Sequence, residues 1–119
     1  MRPHKDGEIT IGKHADLSKV DHINVFDGRT GFGFTINNPE EVSHIVENIR
    51  SHPMKRVGIS LGAVGYGLKI SYVDAEDHAV IPLFFLNSDD TIRKDPFFYQ
   101  CGGGLCFDYI REIENRFAN

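Results

Sequence analysis

Between Asp27 and Leu61 the chain reads DGRTGFGFTINNPEEVSHIVENIRSHPMKRVGISL, which carries start and stop signals for three consecutive elements. Asn38 offers a side-chain oxygen to orphan amides, Pro39 suits the first helical position, and Glu41 stands at the capping-box site. Val42, Ile45, Val46 and Ile49 then recur at helical spacing on one stripe, with Glu40, Glu47 and Arg50 off it. Pro53 biases His52 away from helical dihedrals, so the pattern predicts a helix over 39–51. Upstream, Ile23 and Val25, then Phe32, Phe34 and Ile36, alternate around Asp27-Gly28-Arg29-Thr30-Gly31. That is the pattern of a hairpin with a glycine-bearing turn.

Downstream, Val57, Ile59 and Leu61 alternate, Gly62 to Gly67 interrupts, and Leu68, Ile70 and Tyr72 resume, which predicts a second hairpin. Asp74 to His78 reads as a turn and Val80 to Leu86 as a strand, with Pro82 marking an edge or a bulge. A polar loop opens at Asn87 to Asp90, and Pro96 precedes a short aromatic strand, Phe97 to Tyr99. Cys106, Tyr109, Ile110, Ile113 and Phe117 then keep helical spacing. These elements imply the α+β class. One domain over 22–119 holds a mostly antiparallel sheet of about five or six strands, with helices 39–51 and 105–117 packed on one face. Residues 1–21 have few apolar residues beyond Ile9 and Ile11 and are expected to be poorly structured, with a mobile tip.

At 119 residues the chain can bury roughly two thirds of its unfolded surface, so its two cysteines are not needed as staples. A net charge of −4 leaves no overall basic footprint for phosphates. No apolar run approaches the roughly 20 residues of a membrane helix, and MRPHKDGEI lacks the apolar stretch of a secretion signal. The expected location is cytoplasmic if Met1 is the native start, and extracytoplasmic if a leader has been removed.

Two resemblances bear on function. Arg29-Thr30-Gly31-Phe32-Gly33-Phe34, followed by Asn38-Pro39-Glu40-Glu41, resembles the longer signature and second helix of RNA-recognition motifs, whose aromatics stack on bases. That family needs about 30 residues of strand and helix before the signature. The only candidate for that partner strand, Glu8 to Ile11, leaves too little room and lacks the family's aromatic. The match over 29–50 is therefore read as accidental, with Phe32 and Phe34 as core residues, and RNA binding stays a remote alternative. The order of helix, VGISLGAVGYGLKISYVD and DPFFYQCGGGLCFDYI resembles small uncharacterised bacterial extracytoplasmic or lipoprotein-type domains, over roughly residues 23 to 115. That resemblance implies a binding or sensing domain outside the cytoplasm.

Cys101-Gly102-Gly103-Gly104-Leu105-Cys106 is the most unusual local sequence. Glycines permit a sharp turn, and free amides at a helix N-terminus attract anions and lower the pKa of a nearby thiol. A nucleophilic Cys106 would need a positioned base, yet His22, His44 and His78 lie on separate elements, so Cys106 is read as a buried first-turn residue. Whether it pairs with Cys101 is left open. Gly62 to Gly67 has dinucleotide-fingerprint spacing but leads into a strand pattern. Asp74, Glu76 and Asp77 lack the glycine and distal Glu of a calcium loop, and the six histidines show no metal-ligand spacing.

No catalytic residue, metal or cofactor is therefore expected. The reading is a non-catalytic protein-binding module, of inhibitor or immunity type, covering a basic partner with Asp74, Glu76, Asp77, Asp89 and Asp90. The alternative is an extracytoplasmic small-ligand-binding or sensing domain that uses Gly102, Gly103, Gly104 and Cys106.

Overall fold

Strand alternation and one helical stripe organise the chain as the residue pattern dictates. The structure, a computed structural model, describes residues 8–61 and 67–118. In order these form β1 (Glu8–Ile9), a 3-10 turn (Leu17–Lys19), β2 (His22–Asp27), β3 (Phe32–Ile36), α1 (Pro39–Arg50), β4 (Met54–Ile59) and β5 (Leu68–Val73). There follow β6 (Phe84–Leu86), β7 (Thr91–Lys94), β8 (Phe97–Gln100) and α2 (Phe107–Ala118). The class is α+β, with one antiparallel sheet ordered β1-β4-β8-β7-β6-β5-β2-β3. Eight strands among the described residues exceed the five or six expected.

The hairpin and first helix form as the sequence specifies. Asp27 Oδ1 accepts from the Arg29 amide, Gly31 takes φ 76°, and its amide donates to the Asp27 carbonyl, closing the β2–β3 turn. Asn38 accepts from the Glu40 and Glu41 amides, and Val42, Ile45, Val46 and Ile49 are all buried. Glu41 does not close a capping box in this arrangement. Its carboxylate pairs with Arg116 on α2. His44 stacks on Tyr109 with centroids 4.1 Å apart, so the two helices pack against each other over one face of the sheet.

Several expectations are corrected. β4 and β5 are not a hairpin, because β8, β7 and β6 stand between them; alternation specifies which side chains face inward but not which strand is the neighbour. The dinucleotide-like stretch Gly62 to Tyr66 lies outside the described residues. Only Phe84–Leu86 of the expected strand at Val80 to Leu86 joins the ladder, preceded by an isolated Val73–Ala79 bridge, since Pro82 has no amide to donate. β7 carries no alternation to read, because it offers one apolar residue, Ile92, among Thr91, Arg93 and Lys94.

The helix expected at 105–117 begins at Phe107: Cys106 stands at the capping position, its carbonyl accepting from the Ile110 amide, while the orphan amides of Leu105 and Cys106 donate to the Asp89 carbonyl and to Asn48 Oδ1. Residues 8–21 are structured rather than loose. Glu8 and Ile9 pair with Lys55 and Met54, Ile11 is buried in the core, and Ile9, Leu17 and Val20 pack against it, so a few apolar residues anchor the segment. The mobile tip expected before Glu8 lies outside the described residues.

Candidate functional site

One face of the sheet packs beneath the helices over its central strands, and the other carries a row that runs across seven of the eight strands, β1 excepted. The pairings place Gly33 beside Phe26, Phe26 beside Lys69, and Lys69 beside Phe85. The row continues from Phe85 to Arg93, Phe98 and Gly58. Three phenylalanines therefore alternate with two cations. The Lys69 ammonium lies 5.7 Å from the Phe26 ring centre, and the Arg93 guanidinium 5.2 Å from that of Phe85.

Glycines close both ends of the row. A Cβ at Gly33 would lie 3.6 Å from the Phe26 ring, and one at Gly58 4.0 Å from that of Phe98, so each terminal ring rests beside bare backbone. Phe26 is 43% exposed, while Phe85 and Phe98 are half-buried. Arg93 is held in place by Asp95, whose Oδ1 accepts from Arg93 Nε at 2.8 Å and from Ser60 Oγ at 2.6 Å. The Arg93 bond, followed by that of Ser60, keeps the Asp95 carboxyl below its ordinary range. Polar side chains flank the row. Thr35 donates to Asn24 on one side, and Gln100 donates to Thr91 beside Lys55 on the other. An aromatic centre with a polar margin is the composition of a binding surface.

The acidic residues singled out from sequence do not assemble into one patch. Asp74, Glu76 and Asp77 follow the end of β5, whereas Asp89 and Asp90 follow the end of β6, which runs the opposite way with Leu86 beside Leu68. A strand length of roughly 17 Å separates the two groups. Each is also tied down locally. Asp74 accepts from the Glu76 and His78 amides, and the His78 bond contributes most to lowering its pKa. Asp90 accepts from Thr91 and Ser88, with the same effect. Asp77 sits 3.5 Å from the His22 ring.

The glycine turn is likewise spoken for. Asn48 accepts from the Cys106 amide at 2.8 Å and donates to the Gly104 carbonyl at 2.9 Å, fastening α1 to the start of α2. Gly103 and Gly104 take φ 108° and 94°, and a Cβ at Gly104 would come within 2.9 Å of His52 Nε2. With the Leu105 and Cys106 amides satisfied by protein, Gly102, Gly103 and Gly104 frame a structural connection. Cys106 is buried and unbonded to Cys101, and burial pushes its thiol pKa up to about 12, opposite to what a nucleophile needs. Among the described residues no group of three metal-ligating side chains comes together.

One buried charged cluster went unseen in the sequence. Asp27 is 0% exposed and Glu114 3%. Arg111 Nε lies 3.4 Å from Asp27 Oδ2 and 3.1 Å from Glu114 Oε1, and Thr30 Oγ1 donates to Glu114. Burial first, and the neighbouring Asp27 second, raise the Glu114 pKa. Such a pair can share a proton, but both carboxylates are sealed from solvent, and their partners are the hairpin turn and α2. The cluster clamps the helix to the hairpin. A helical stripe interrupted by Glu114 beside Ile113 is the one signal that could have revealed it.

No protein-family model, curated protein or solved structure matches the chain. No helix of the described residues is long and apolar enough to cross a membrane.

Proposed function

We propose that the protein is a non-catalytic protein-binding module whose interface is the open face of the sheet, centred on Phe26, Lys69, Phe85, Arg93 and Phe98. The observation that supports this reading is the unbroken aromatic and cationic row, because a folded chain gains little stability from a 43% exposed phenylalanine. Aromatic residues and arginine are also the side chains that dominate binding energies when desolvated at an interface centre. The partner would present apolar groups to the rings and acidic groups to Lys69 and Lys55. This differs from a basic partner gripped by acidic loops, since those loops sit at opposite ends of the strands. Charge on the open face would steer association and make it salt-sensitive.

The test is site-specific photocrosslinking from a benzophenone side chain placed at Phe26, in the cells that make the protein. A discrete protein adduct is expected, and it should be lost when Phe85 and Phe98 are both changed to Ser. An adduct that survives those changes would place the interface elsewhere. Salt-sensitive binding of a labelled single-stranded oligonucleotide that depends on Phe26 would replace the protein partner with a nucleic acid.

A further inference from the structure

On the covered side, the helices leave the far ends of β7 and β8 to a non-helical lid. Residues 8–15 on one side and 80–82 on the other bound a groove of about 700 Å³, within the size range of small-molecule sites. Its apolar lining comes from Ile9, Val80, Ile81, Pro82 and Tyr99. Lys94 and Lys13 bring positive charge to the same space, while Glu8 borders it from β1, where its register partner is Lys55.

Lys94 is the informative member. It follows Ile92 in phase on β7, so it points to the covered side, where it is half-buried. It forms no ion pair with any described residue; the adjacent Asp95 is taken by Arg93, and Glu8 stays out of ion-pair range. A half-buried lysine in a groove lined by aliphatic side chains, with a second lysine in the same lining, complements an anion that carries its own apolar body.

We propose that this groove binds an anionic amphiphile, a long-chain monocarboxylate whose head meets Lys94 and Lys13 and whose chain lies along Ile81, Pro82 and Tyr99. Charge complementarity selects the head and the aliphatic lining selects the chain. The site lies on the opposite side of the sheet from Phe26 and stands independently of the protein-binding reading.

The experiment is a fluorescence titration of the full chain with dansyl-undecanoic acid, followed by displacement. Saturable one-to-one binding is expected, displaced by palmitate about tenfold better than by hexadecanol or hexadecylamine. Lys94→Gln should weaken binding about tenfold while the unfolding midpoint holds, and Lys94→Glu should favour the amine over the acid. Phe26→Ser should leave the titration unchanged. Absence of binding, equal displacement by acid and alcohol, or indifference to Lys94→Gln would each overturn the proposal. So would sedimentation with vesicles of phosphatidylcholine and phosphatidylglycerol by a protein that ignores the monomeric acid, since that would assign the charge to a lipid surface.

Discussion

The covered and open faces of the sheet are built from the same strands, one residue out of phase, yet they are furnished by different physics. On the covered face Ile23, Val25, Ile70, Phe84, Leu86 and Ile92 are buried with the stripe of α1 and with Ile110 and Ile113 of α2. On the open face their immediate neighbours are Asn24, Phe26, Lys69, Phe85 and Arg93. Burial explains the first set. The second set contains large rings that burial does not require, and cations spaced between them. The contrast separates residues that burial accounts for from residues that it does not.

Core truncation should give the largest effect. Ile70→Ala or Ile45→Ala should lower stability by about 2 to 5 kcal/mol in urea unfolding, because each fully buried side chain loses transfer energy and leaves a cavity. A near-zero change would break the distinction between the faces at its stronger end.

Cys106 extends the same contrast to reactivity. With its thiol pKa pushed up to about 12 by burial, it should alkylate slowly at neutral pH in the native state and quickly after unfolding. Cys101, half-buried, should label first, as mass spectrometry of partly modified protein would reveal. Preferential labelling of Cys106 would point to an accessible thiolate instead.

The buried clamp makes a smaller, signed prediction. Because the folded state raises the Glu114 pKa, folding binds an extra proton there. The associated stability is fully present below the ordinary glutamate value of 4.5 and is lost as pH rises through the raised folded value. Glu114→Gln should remove this part of the pH profile while keeping a hydrogen-bonding partner for Thr30. Denaturant midpoints of both proteins across that window provide the check; parallel curves would mean Glu114 titrates normally.

What could be read from the sequence was local. Asn38, Pro39 and the stripe from Val42 to Ile49 specify their helix within a dozen residues, and Asp27 to Gly31 specifies its turn in five. The open-face row could not be read that way. Phe26, Lys69, Phe85, Arg93 and Phe98 become neighbours only through the order of five strands, which alternation leaves undetermined. The separation of the acidic loops was hidden for the same reason: Asp77 and Asp89 are close in sequence but end up at opposite strand ends. A large apolar residue in the exposed phase of an alternating strand, as at Phe26 between Val25 and Asp27, was the available hint.

Phe26→Ser carries the smallest expected effect on folding and tests the division of labour most directly, when its unfolding midpoint is measured beside the adduct yield from a benzophenone side chain at Phe98. Stability should fall by about 1 kcal/mol or less, the worth of one partly exposed ring and its Lys69 contact, while the yield drops at least about tenfold. A stability loss matching that of Ile70→Ala, or an unchanged yield, would mean that the open face is held for folding and not for a partner.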